Sequence, residues 1–151
     1  MRGVFALMAS VALLVVSCSA DGSHAYFEAV ADINNRMEAG TFAALPRDAE
    51  PTWSAITAVV AVREAAVAEL RALEPPESLE IEHEAYTTSL QVLVEESHRF
   101  LDGTADLDDA EFLAALVESA DLEVLAGAVA RACSALQAAA TTAGLDTHVG
   151  C

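Results

Sequence analysis

Histidine beside carboxylate at helical spacing is the first chemistry this sequence offers. Glu80-x-x-His83 and Glu95-x-x-His98 both carry the i, i+3 pairing by which a helix shows an imidazole and a carboxylate on one face. A metal centre in a helical bundle needs such pairs on at least two helices, projecting inward together. Here both fall on one predicted helix, and the two imidazoles stand about 22 Å apart along its axis, too far to share an ion. No metal site is therefore expected, and Glu80 with His83 is the nearest approach to one. His83 reads as a partly buried neighbour of Tyr86, and His98 as a surface residue near the helix end.

Other candidate chemistry fails at its informative positions. Asp102, Thr104, Asp106 and Asp108 take the alternate ligand positions of a calcium loop. Leu107, however, stands where the sharp-turn glycine belongs, and Leu113 replaces the closing bidentate glutamate. The acidic run reads instead as negative charge gathered at a helix N-terminus. No Cys-x-x-Cys-His occurs, which excludes covalent c-type haem, and Met37 of a Met37–His98 axial pair is better read as core filling. There is no Gly-x-Ser-x-Gly and no phosphate-cradling glycine loop. Arg63 and Arg131, on mostly apolar faces, are expected to pair with bordering glutamates, and Trp53 to anchor the core. No catalytic residue and no cofactor is assigned, and the chain does not read as an enzyme.

The elements that position these residues are helical. Tyr26, Phe27, Val30, Ile33 and Met37 recur at the spacing of one helix face, closed by Gly40 and Pro46. Thr52 is placed to cap a second helix whose stripe is Trp53, Ile56, Val59, Val60, Val67, Leu70 and Leu73, ended by Pro75-Pro76. A third helix starts near Glu77 or Ser78, carries Leu79, His83, Tyr86, Leu90, Leu93, Val94, Phe100 and Leu101, and stops at Gly103. A fourth region holds Phe112, Leu113, Leu116 and Val117, then Leu122, Leu125, Val129, Cys133 and Leu136, with a break foreseen between Ser119 and Asp121. Gly144 suits a helix-ending position. Four amphipathic helices with short connections predict an all-α, up-down four-helix bundle.

Composition narrows the partners. The chain carries 24 acidic residues against 7 basic ones, all Arg, for a formal charge of -17. No basic patch exists to neutralise phosphates, so nucleic acid is excluded, and the domain is repelled from anionic lipid headgroups. Aromatics make up only 5% of the residues, so the core must rest on Leu, Val and Ala.

The N-terminus supplies an address. Met1-Arg2 precedes an apolar run from Gly3 to Val16, too short to span a bilayer comfortably but of the right length for an export signal. It ends in Val15-Val16-Ser17-Cys18, which resembles the lipobox of bacterial lipoproteins. That resemblance implies lipidation of the Cys18 sulfur, cleavage just before it, and attachment to the extracytoplasmic face of the cell membrane. With Cys18 acylated, Cys133 and Cys151 remain as a pair in an oxidising compartment. Cys133 lies about 15 Å from the helix end at Gly144, and the tail that follows reaches about 23 Å, so it can fold back and close a disulfide. The expected organisation is a signal over 1–17, a lipidated tether over 18–24 and a helical domain over 25–151 with a disulfide-tied C-terminal tail. Beyond the lipobox, the outline loosely resembles small helical lipoproteins of GC-rich Gram-positive bacteria, a likeness that implies no activity. The functional expectation is a non-enzymatic, membrane-anchored protein that binds an envelope protein or a small ligand. Its alternative is a metal- or ligand-binding bundle built on His83 and nearby carboxylates.

Overall fold

The computed structural model describes residues 19–151, so the export signal and Cys18 lie outside the described residues. Those described fold into five α-helices, α1 (Ser19–Ala44), α2 (Trp53–Ala72), α3 (Glu80–Gly103), α4 (Asp109–Glu118) and α5 (Ala120–Thr142), and contain no strand. A 3-10 turn, Glu77–Leu79, leads into α3.

Local chemistry sets most of the boundaries. Thr52 accepts from the Ala55 amide at 3.2 Å and opens α2. Asp108 accepts from the amides of Ala110 and Glu111, and Glu111 reaches back to the Asp108 amide, a capping box that starts α4. At the end of α5, Gly144 takes a φ of 72°. Its amide donates to Thr141 and that of Leu145 to Ala140, so two orphan carbonyls of the last turn find partners.

Two boundaries differ from the sequence expectation. First, α1 begins at Ser19, so residues 19–24, expected as a tether, are its opening turns. No proline or β-branched run opposes helix there, and Tyr26 and Phe27 are already buried in the following turn. Second, α1 continues through Gly40 to Ala44. A Cβ on Gly40 would stand 2.9 Å from Val62 Cγ1, so this glycine serves close helix approach and does not end the helix. The break foreseen between Ser119 and Asp121 is present: the fourth region is two helices that part at Ser119, whose ψ of 79° leaves α geometry. At 3.6 residues per turn, one continuous helix would aim Phe112 and Leu116 roughly 100° away from Cys133, Leu136 and Ala140. The break lets both stripes reach the core.

Helix α1 packs on α2, α2 on α3, and α3 on α5. Arg36 of α1 bonds both Asp32 and Glu69 of α2. Further along α2, His98 of α3 lies 3.7 Å from Glu64, and the Trp53 indole donates to the Leu101 carbonyl at 3.1 Å. These pairings run antiparallel. Phe27, Val30, Leu70, Tyr86, Leu90 and Leu136 form the fully buried centre. Trp53, expected inside, is 37% exposed. Its N–H is spent on a carbonyl in the last turn of α3, and its ring lies partly in solvent.

The C-terminal tail folds back along α5. Cys133 is joined to Cys151, with Cα atoms 5.7 Å apart. The Gln137 side chain donates to the Thr147 carbonyl and accepts from the Val149 amide, as a neighbouring strand would. Val149 is completely buried.

Candidate functional site

Polar atoms inside an apolar bundle are costly unless partnered, and here they are concentrated where α1, α3 and the tail meet. The Tyr26 hydroxyl and His83 Nδ1 lie 2.9 Å apart, with the two rings edge to face. Tyr86, one turn beyond His83, donates to Asn34 Oδ1 at 2.7 Å. Asn34 then donates from Nδ2 to the Val149 carbonyl at 2.6 Å. One amide thus ties α1, α3 and the tail together. Asn34 is 1% exposed, and its Nδ2 also lies 3.8 Å from the Cys133 sulfur.

Burial sets the protonation of these groups. It pushes Tyr86 up to about 12, offset in part by the bond to Asn34. Tyr26 is raised further still, by burial first and then by the negative charge of Glu82. Burial lowers His83 below the ordinary imidazole value, so the neutral ring is favoured. A neutral ring protonated on Nε2 accepts the Tyr26 hydroxyl at Nδ1.

Beside this network lies a cleft of about 510 Å³. Ser23 and Phe27 of α1 form one wall, Leu79 and Glu82 the floor, and the alanines at 135, 138 and 139 of α5 the other wall. Small side chains on α5 hold the walls apart, while Phe27 and Leu79 make the interior apolar. Its size and lining suit a small apolar ligand with a polar end directed at Glu82 or the rim hydroxyls.

The residues singled out in the sequence are mostly kept apart. His83 is buried against Tyr26, whereas Glu80 is exposed to solvent. Among the described residues no three His, Cys, Asp or Glu side chains are placed to hold a metal ion. His98 and Glu95 line a separate groove between α2 and α3. Met37 lies in another, between α1 and α2. In the acidic turn, Asp108 caps α4 and Thr104 donates to the Phe100 carbonyl at 2.8 Å, so both oxygens serve helix ends.

Arg63 and Arg131 depart from expectation. Among the described residues Arg63 has no carboxylate partner, and burial alone lowers its pKa. Arg131 is exposed and lies against Gly127.

Asn34 and Gln137 were missed in the sequence. Asn34 falls on the stripe of Phe27, Val30 and Met37, and an amide in phase with an apolar stripe was the available signal. Nothing local marks Gln137, whose partners are ten and twelve residues away. No family model, no curated protein and no solved structure matches this chain.

Proposed function

We propose that this chain is an extracytoplasmic lipoprotein, anchored through Cys18, whose helical domain binds a small apolar ligand without chemical conversion. The four long helices are read as an up-down four-helix bundle, with α4 as a short connector and the tail tied by Cys133–Cys151. The observation that carries binding is the apolar cleft of about 510 Å³, whose wall begins at Ser23 in the second turn of the helix after Cys18. A lipid-tethered domain thereby holds its cleft close to the membrane, where apolar ligands partition. The Tyr26–His83 and Tyr86–Asn34–Val149 bonds are structural in this reading. Each hydroxyl is buried and committed to a partner.

Two measurements test it. Intact mass of the protein from its native membrane, with and without reduction, reports acylation at Cys18 and a two-hydrogen shift for the disulfide. An unmodified Cys18 sinks the anchor. For the cleft, binding of anilinonaphthalene sulfonate is followed in the full chain and in Ala138→Phe, which fills the wall from an exposed position. The dye is expected to bind the parent at least tenfold more tightly; equal binding removes the cleft from the proposal.

A further inference from the structure

The cleft bounded by α1, α3 and α5 holds one charge. Its lining is apolar apart from three hydroxyl-bearing residues and Glu82, which is half-buried. No arginine or histidine lines it. The basic residues next to it in sequence are engaged elsewhere. His24, beside Ser23, lies 3.7 Å from Glu28. His83, beside Glu82, is buried with Nδ1 at the Tyr26 hydroxyl, and burial favours its neutral ring. Arg131 stands one turn before Ala135 on the same side of α5. Its guanidinium, however, folds back along the helix, where a Cβ on Gly127 would meet it at 3.3 Å.

Helix ends do not change this balance. The first turn of α3 brings the positive end of its dipole to the cleft, and the last turn of α5, which has no basic residue, brings a negative end. The two offset, and the Glu82 carboxylate remains. Its charge is felt inside the bundle, where it opposes ionisation of the Tyr26 hydroxyl. Thr142 adds an acceptor: its hydroxyl donates to the Ala138 carbonyl at 2.8 Å, so toward a ligand it can only accept. An apolar chain ending in a carboxylate or phosphate would desolvate its charge beside Glu82 with no cation to answer it. An ammonium end answers Glu82 while the chain covers Phe27, Leu79 and the alanines of α5.

We propose that the cleft selects cationic amphiphiles, single apolar chains ending in an amine or quaternary ammonium group, with that group set against Glu82. This rests on the reading of the cleft as a ligand site, and its test separates the two. Decyltrimethylammonium, decanol and decanoate share one chain length and differ in charge. Their binding to the full chain is measured by titration calorimetry at physiological ionic strength, below any micelle concentration. The ammonium is expected to bind at least tenfold more tightly than either of the others. Equal or tighter binding of decanol or decanoate overturns the proposal.

A polyanion of charge -17 attracts any cation, so two variants of equal charge separate the cleft from the bulk. Glu82→Gln is expected to lose at least tenfold in decyltrimethylammonium affinity and to gain severalfold for the anionic dye anilinonaphthalene sulfonate. A disturbed fold would not give those opposite signs. Glu84→Gln, exposed and on the far side of α3, is expected to change neither affinity. Equal effects of the two variants overturn charge selection and leave the cleft in place. If Ala138→Phe binds all three probes as the parent does, the cleft itself falls, and the proposal with it.

Discussion

Asn34 answers three buried groups at once: the Tyr86 hydroxyl, the Val149 carbonyl and the Cys133 sulfur. Removing its amide leaves the Tyr86 hydroxyl and the Val149 carbonyl buried without these partners. Each orphaned group costs about 1–3 kcal/mol, so Asn34→Ala is expected to lose about 3 kcal/mol of stability in urea unfolding. The tail should also show faster amide exchange at Val149. His83 makes a different prediction, in pH. Its folded pKa lies below the unfolded value of 6.5, so the unfolded chain binds the proton first. The His83 contribution is complete above that value and is lost as pH falls toward the folded pKa. Between about pH 7.5 and about pH 5.5, the parent should lose more of its urea midpoint than His83→Gln does. Parallel pH profiles for the two would show that His83 does not titrate differently on folding.

At the scale of elements, Gly40 decides how closely α1 approaches α2. Alanine is the better helix former by about 1 kcal/mol, yet its Cβ would meet the stiff side chain of Val62. Gly40→Ala alone is therefore expected to be neutral or destabilising. In a Val62→Ala background, where the obstruction is gone, the same change should gain about 1 kcal/mol. A double-mutant cycle measured by urea unfolding reads the coupling directly, and strict additivity would show that the helices are not in contact there. The break between α4 and α5 obeys the same logic of helical phase. Two stripes that disagree in direction cannot share one straight helix, and Ser119 is where the chain resolves the conflict.

The whole molecule carries a charge of -17, and few of its carboxylates are answered by arginine. Arg36 and Arg99 bond carboxylates at exposed sites, and screening keeps such pairs small contributors. Self-repulsion is the larger electrostatic effect, and salt relieves it over distances beyond about 8 Å at physiological ionic strength. Raising NaCl from about 0.01 M to about 0.3 M should raise the thermal midpoint by several degrees. A fall in the midpoint would mean that the exposed ion pairs outweigh the repulsion.

Helix content, the stripes of α1, α2 and α3, the caps at Thr52 and Gly144 and the reach of Cys151 to Cys133 were legible in the residues themselves. Each depends on neighbours within a few turns or on the plain length of chain. The tertiary structure decided what depends on partners far away in sequence. It buried Asn34 between Tyr86 and Val149, turned Trp53 outward to serve the Leu101 carbonyl, and left Arg63 without the carboxylate expected for it. It ran α1 through Gly40 because Val62 occupies the space a side chain would need. It also opened a cleft between α1 and α5, where periodicity does not distinguish a closed bundle from one with a groove. Periodicity fixes which face of a helix is apolar, but the distance between two such faces is set by the side chains that meet there, and those are chosen by the fold.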